Sequence, residues 1–252
     1  MTDSATLDQL AQRLRSAHAV TVMTGAGISA ESGVPTFRGA DGLWRNYRAT
    51  DLATPDAFAR DPRLVWQWYR WRRGIIGRAE PNPGHLALAR LQCRIPAFTL
   101  ITQNVDGLHQ RAGSTGAIEL HGNIWRARCA RGCGVVRDSA GETLGDAPAG
   151  DQAPVPVCPC GALLRPDVVW FGEALDQSRI DLAVRAAEDC QVFLAIGTSA
   201  LVYPAAGLPL AAANAGALVV EINVDHTPLT PHAGLVLRAR AAEVLPALES
   251  RV

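Results

Sequence analysis

At 252 residues the chain is too long for a small disulfide-stapled module and has room for one enzyme-sized unit with its own core. Hydrophobic residues make up 48% and charged residues 19%, which excludes a disordered chain or a charged tail. The 24 Lys+Arg cancel the 24 Asp+Glu, so bulk electrostatic affinity for nucleic acid or an anionic membrane is not expected.

Met1 to Arg15 carries Asp3, Asp8 and two arginines, and no apolar run approaches the roughly 20 residues of a membrane span, so neither a signal peptide nor an anchor is expected. Leu7, Leu10 and Leu14 recur at helical spacing, and Ala19 to Met23 then reads as a buried strand running into Thr24-Gly25-Ala26-Gly27. Similar runs at Ala97 to Thr102, Val192 to Ile196 and Leu218 to Ile222 alternate with helix-like stretches such as His85 to Leu91 and Ile180 to Ala187. That rhythm predicts an α/β fold with a parallel, doubly wound sheet.

Two segments interrupt it. Residues 36–78 are rich in Trp and Arg, with Asp61-Pro62 predicted to cap and start a helix reaching about Ile76. Residues 126–166 hold Cys129, Cys133, Cys158 and Cys160, and between the pairs Gly141 to Pro156 reads as a surface loop. Both look like insertions that form a second, smaller module beside a large domain made of 1–35, 79–125 and 167–252. Six cysteines are too few for a disulfide scaffold, and four in two close pairs suit metal ligation in a reducing compartment, so a cytoplasmic protein is expected. Cys93 and Cys190 read as small core residues.

Gly25, Gly27 and Ala30 fit the G-x-G-x-x-G/A pattern after a strand, where small residues let the backbone approach a pyrophosphate. A tight turn explains the same residues. A dehydrogenase also needs a second strand ending in an acid about 20 residues on, and that strand is missing; instead Pro35 cuts the helix short.

The chain resembles the sirtuin family of NAD-dependent protein-lysine deacylases through GAGISAESGVPTFRGADGLW (25–44), TQNVDGLHQRAG (102–113), ELHGN (119–123), VVWFGE (168–173), GTSALVYPAA (197–206) and EINVD (221–225). The resemblance implies a Rossmann-like large domain with a small module built from a helical and a zinc-binding insertion. It also implies transfer of an acyl group from lysine to the ADP-ribose of NAD, releasing nicotinamide.

The resemblance makes His121 the catalytic base, a role suited to an imidazole whose ordinary pKa is near 6.5. Asn104 and Asp106 resemble the pair that fixes the nicotinamide carboxamide, with Asn104 also catalytic, Gln103 on the ribose and Val105 between them. Gly25, Ala26, Gly27, Ser29, Ala30, Glu31, Phe37, Arg38 and Trp44 are the implied NAD loop. Gly197, Thr198 and Ser199, then Asn223, Val224 and Asp225, are implied to hold the phosphates and the adenosine ribose, and Ala241 to offer adenine a backbone contact. Val168, Val169, Trp170, Phe171 and Gly172 resemble the segment that pairs with an acyl-lysine peptide as an added strand. The four paired cysteines match a structural Zn2+ site, one per chain, although C-x3-C and C-x-C depart from the usual C-x2-C pairs.

Tyr69 and Arg72 lie three apart on the predicted helix and share a face. An aromatic, basic surface helix is the plain reading. Within the family the Tyr-x-x-Arg pair, with Ala53 nearby, resembles class III members that remove acidic acyl groups, since an Arg fork and a phenol grip a carboxylate. Succinyl and malonyl groups are therefore the expected substrates, with some deacetylation. The alternatives are a plain deacetylase, a mono-ADP-ribosyltransferase using the same site, and, more remotely, a zinc-finger-like nucleic-acid binder. The expected partners are acylated protein lysines bound by a monomer, with no nucleic acid and no membrane.

Overall fold

The computed structural model describes residues 4–35, 43–44, 47–140 and 153–252. Phe37, Arg38 and the side chain of Trp44 lie outside the described residues, as does most of the expected Gly141 to Pro156 loop.

Leu7, Leu10 and Leu14 form the buried stripe of α1 (Ser4–Ser16), and β1 (Ala19–Thr24) follows. The single turn of α2 (Ala26–Ala30) stops well before Pro35. A short antiparallel pair, β2 (Leu43–Trp44) and β3 (Tyr47–Arg48), precedes α3 (Ala49–Leu52), α4 (Pro55–Arg60), α5 (Pro62–Arg78) and α6 (Pro83–Arg94). The last three each start on proline behind a capping side chain, which satisfies an N–H the first turn leaves unpaired. Thr54 accepts from the Ala57 N–H at 3.1 Å, Asp61 from Leu64 at 3.0 Å and Asn82 from Gly84 at 2.9 Å. Next come β4 (Ala97–Thr102), α7 (Leu108–Arg111), β5 (Ile118–Glu119), β6 (Gly122–Cys129), β7 (Val136–Asp138) and β8 (Leu164–Val168). The chain closes with α8 (Gln177–Asp189), β9 (Val192–Ile196), α9 (Leu208–Asn214), β10 (Leu218–Ile222), β11 (Leu235–Leu237) and α10 (Ala241–Glu249).

Six strands form one parallel sheet in the order β11-β10-β9-β1-β4-β5. Renumbered by position in the chain and read from β5, this is 3-2-1-4-5-6, the doubly wound Rossmann order. Side chains alternate across it: Val20 and Val22 of β1 face α1, α6 and α10, whereas Met23, with Phe193 of β9, faces α8 and α9. The second strand, β4, ends at Thr102 with no acid at its tip, in keeping with the absent dehydrogenase signature.

A separate antiparallel sheet, β7-β6-β8, packs against α5. The plain reading of α5 as a surface helix is wrong: Trp66, Trp68, Tyr69, Arg70 and Arg73 are all buried. The buried cations are satisfied by backbone carbonyls and one hydroxyl. Arg73 donates to Ile124 O at 2.7 Å and to Ser139 Oγ at 2.7 Å, and Arg70 to Pro154 O at 2.7 Å, so this helix is pinned onto the small sheet. Cys190 is buried as expected, but Cys93 is exposed. It lies five residues beyond buried Leu88 on α6, roughly 140° round the helix. Among the described residues no helix is long and apolar enough to cross a membrane.

Candidate active site

Where the winding of the parallel sheet reverses, the carboxyl ends of β1 and β9 lie side by side and the backbones touch. The Gly25 N–H donates to Ile196 O at 3.0 Å and the Gly27 N–H to Gly197 O at 2.8 Å. A Cβ on Gly27 would stand 2.7 Å from the Gly197 Cα, and Gly197 itself has φ +57°, so side chains are excluded on both strands. This contact floors a cleft of about 700 Å³ lined by Ala26, Gly27, Ala30 and Glu31, by Gly197, Thr198 and Ser199, by Asn223, Val224 and Asp225, and by Ala241. A dinucleotide's phosphates need backbone approach of this kind. Asn223 donates to Thr198 O at 2.7 Å, joining two of the strand ends, and Glu31 accepts from the Ala242 N–H at 3.1 Å, which fixes the head of α10.

A second cleft of about 470 Å³ shares Ala26 and Thr198 with the first. His121, in the turn between β5 and β6, lines it together with Gln103, Asn104, Val105 and Asp106, which follow β4. The His121 Nδ1 lies 2.8 Å from Gln103 O. A carbonyl can only accept, so Nδ1 carries the hydrogen and Nε2 keeps a lone pair. Burial lowers the His121 pKa against the opposing effect of the Gln103 bond, so the ring is a neutral base at pH 7.

Asn104 donates through Nδ2 to Gly25 O at 3.0 Å and to Ser29 Oγ at 3.1 Å, which leaves its Oδ1 as the acceptor it can offer. Gln103 reaches across to Thr198 Oγ1 at 2.8 Å. Asp106 is buried and accepts from Ser29 Oγ at 2.8 Å and the Leu108 N–H at 2.9 Å; burial raises its pKa, and these bonds oppose the rise.

Ala53, Tyr69 and Arg72 line the same cleft, as do Val168, Val169, Trp170, Phe171 and Gly172. Arg72 stacks its guanidinium 4.9 Å from the Trp68 ring centroid. Although the residue is partly exposed, its charged end is desolvated enough to lower its pKa. The 168–172 segment differs from an open strand edge. Only Val168 belongs to a strand, and three successive N–H groups are already bonded: Val169 to His121 O at 2.9 Å, Trp170 to Glu173 Oε2 at 2.9 Å and Phe171 to Ala53 O at 2.9 Å. An incoming peptide therefore has fewer main-chain partners here than a free edge offers.

Away from both clefts, Cys129 at the end of β6, Cys133, Cys158 and Cys160 bring their four Sγ atoms within 4.8 Å of one another. The 129–160 and 133–158 pairs stand 3.6 and 3.5 Å apart, close to the roughly 3.8 Å edge of a tetrahedron with 2.3 Å zinc–sulfur bonds. The C-x-C pair lies within the same 4.8 Å, and the donor set fits a structural Zn2+.

The pattern of the Sir2 family matches residues 25–204. The chain belongs to the Sir2 family. It is 54% identical over 244 residues to "NAD-dependent protein deacylase 2" of Pyrobaculum aerophilum, covering 96% of this chain and 94% of the relative. It is 48% identical over 252 residues to the NAD-dependent protein deacylase of Pyrococcus furiosus, covering 98% of each. The solved complex of a Sir2 homologue with NAD superposes with a TM-score of 0.88 at 45% identity over 96% of this chain and 92% of that one. A Sir2 complex with a p53 peptide and NAD+ gives 0.82 at 32% identity over 96% of each chain.

In this sirtuin, sequence reasoning overlooked the back of the nucleotide cleft. Glu221 of β10 is buried and accepts from Thr230 Oγ1 at 2.6 Å, from Thr227 Oγ1 and from Arg238 Nη2 at 3.2 Å, while Arg238 also holds Asp225 O. The network shapes the 223–230 loop against the cleft. The available signal was a glutamate inside a strand of apolar neighbours, which has to find buried partners. Arg240 and His226, which line the cleft beside Asp225, carry no such signal.

Proposed function

We propose that this sirtuin removes acyl groups from protein lysine side chains with NAD as co-substrate, and that it prefers the acidic groups succinyl and malonyl while also accepting acetyl. The observation that carries the reading is that one cleft contains both the His121 base and the Tyr69–Arg72 pair and opens onto the glycine-floored nucleotide cleft.

NAD, when bound, supplies a ribose carbon that accepts the acyl oxygen as nicotinamide leaves, giving free lysine and O-acyl-ADP-ribose. Gly25, Ala26, Gly27, Ser29, Ala30 and Glu31, with Gly197, Thr198 and Ser199, hold the phosphate side, while Asn223, Val224, Asp225 and Ala241 hold the adenosine side. Gln103 orients the nicotinamide ribose, and the Asn104 acceptor and Asp106, with Val105 between them, receive the carboxamide. His121 takes a ribose hydroxyl proton on Nε2, and Gln103 O stabilises the charge that results on the ring. Val168, Val169, Trp170, Phe171 and Gly172 flank the lysine stem, and the peptide lies extended along them.

A carboxylate on the acyl group finds the Arg72 fork and the Tyr69 phenol, and Ala53 leaves it room. The cysteine tetrad holds one Zn2+, whose thiolate ligands suit the reducing cytoplasm. Zero net charge supports the absence of a nucleic-acid partner. Mass spectrometry of the products from NAD with acetyl-, succinyl- and malonyl-lysine versions of one peptide tests this reading. Nicotinamide and O-acyl-ADP-ribose with the highest kcat/KM on the acidic peptides is the expected result; equal or better deacetylation overturns the acyl preference, and ADP-ribosylated protein without deacylation overturns the whole.

A further inference from the structure

Tyr69 and Trp170 are 101 residues apart, and the Trp170 indole N–H donates to the Tyr69 hydroxyl at 2.8 Å. Both side chains are buried. The indole is held on every side: the Arg165 guanidinium lies 3.3 Å from its centroid, and the Phe58 ring packs at 5.3 Å. Its backbone N–H is fixed by Glu173, which is itself ion-paired to Arg165. These contacts hold the ring and set the direction of its N–H.

A phenol oxygen has two lone pairs and one proton, whereas an indole N–H and a guanidinium can only donate. Trp170 occupies one lone pair of Tyr69, and the Arg72 guanidinium carbon stands 5.5 Å from the Tyr69 ring centroid. With the indole donor on its oxygen and a cation beside its ring, the phenol acts chiefly through its proton, which an acceptor meets.

We propose that Trp170 is a positioning residue for acyl specificity: by occupying the Tyr69 oxygen, its indole N–H biases the phenol to donate, so that the pocket selects a carboxylate over an acyl terminus that itself donates. This rests on the acidic-acyl reading above and extends it. The Arg72 fork and the phenol proton then both present donors at that point, and a carboxamide isostere of succinyl, whose NH2 cannot accept from them, is disfavoured beyond the loss of its charge.

The test uses Trp170→Phe, which keeps a buried aromatic ring but removes the indole donor together with the second ring, alongside Tyr69→Phe, the double variant and Arg72→Met, each assayed on one peptide carrying succinyl-, succinamyl- or acetyl-lysine. Losing one neutral hydrogen bond that aligns the donor is expected to lower the succinyl-to-acetyl ratio of kcat/KM by about three- to tenfold. The succinyl-to-succinamyl ratio falls with it, because the freed phenol oxygen can then accept from the amide. In the double variant the ratios go no lower than in Tyr69→Phe alone, since Trp170 acts through that hydroxyl. A merely structural role lowers all three activities in proportion and adds in the double variant, and either result overturns the proposal. So does an unchanged ratio in Trp170→Phe when Arg72→Met and Tyr69→Phe shift it. If Arg72→Met itself leaves the ratio untouched, the acidic-acyl reading has failed and the proposal falls with it. Should Trp170→Phe not fold, the indole proton resonance of Trp170 in the unsubstituted protein decides: it is expected to shift further with the succinyl-lysine peptide than with the acetyl-lysine peptide, and an equal response to both overturns the assignment.

Discussion

The carbonyl oxygen of Gln103 stands 2.8 Å from Nδ1 of His121, and this contact decides which ring nitrogen is the base. Gln103 follows β4 and His121 follows β5, so the pairing of neighbouring strands aims the lone pair of Nε2. Because burial lowers the His121 pKa, the ring stays neutral below pH 6.5, and the acid limb of kcat/KM is expected to lie on the acid side of that value. His121→Ala is expected to lose deacylation by at least about a hundredfold while still binding NAD, the usual scale for a removed general base. Calorimetric titration with NAD beside a nicotinamide-release assay checks both parts, and a variant that keeps most of its turnover removes His121 from the mechanism.

Arg72→Met separates an acid-selective deacylase from a general one. Leaving a desolvated carboxylate unmatched costs about 2 to 5 kcal/mol, so the desuccinylation-to-deacetylation ratio should fall roughly 30-fold or more. Tyr69→Phe is expected to move the ratio the same way by less, since it removes one neutral donor. Measuring both activities on one peptide cancels damage to folding or NAD binding; a proportional loss of the two makes Arg72 scaffold.

The cysteine tetrad predicts one zinc per chain, bound tightly enough to survive purification without chelator. Replacing Cys158 or Cys160 by Ser should release the metal and lower the melting temperature, because the binding free energy of a structural zinc is folding free energy. Elemental analysis that finds no metal in the unsubstituted protein contradicts the assignment.

His85 and His109 pack edge to face at 4.8 Å beneath the second cleft, and burial holds their pKa values at about 4 and about 3. Both folded values lie below the unfolded 6.5, so the unfolded chain binds more protons as pH falls through 6.5. Stability is therefore undiminished above that pH and declines below it, by about 1.4 kcal/mol per pH unit for each ring, until the folded values are reached. Denaturant unfolding at pH 7, 6 and 5 should show the decline, and His109→Gln should flatten its slope; a slope unchanged by that substitution rules out His109 as a source.

The sequence alone determined the alternation of strands and helices, the proline-started helix behind Asp61, the glycines at 25 and 27 and the cysteine pairs. Each of these is written in short-range chemistry: side-chain period, a cap three residues from its N–H, or residues that only a close backbone or a metal requires. The family blocks extended that reading to His121 and the nucleotide-cleft residues, which lie beyond the carboxyl ends of the strands, where the winding of the sheet reverses. Tertiary structure alone decided the rest. It turned the aromatic, arginine-rich α5 inward, because Arg73 and Arg70 found backbone carbonyls far along the chain. It left Cys93 outside, closed three N–H groups of the expected peptide strand, and set Trp170 against Tyr69 and Glu221 against Arg238. Those contacts join residues brought together only by the packing of the small sheet on α5 or by the return of β11 beside β10, and local pattern carries no information about which distant partner a buried polar group will meet.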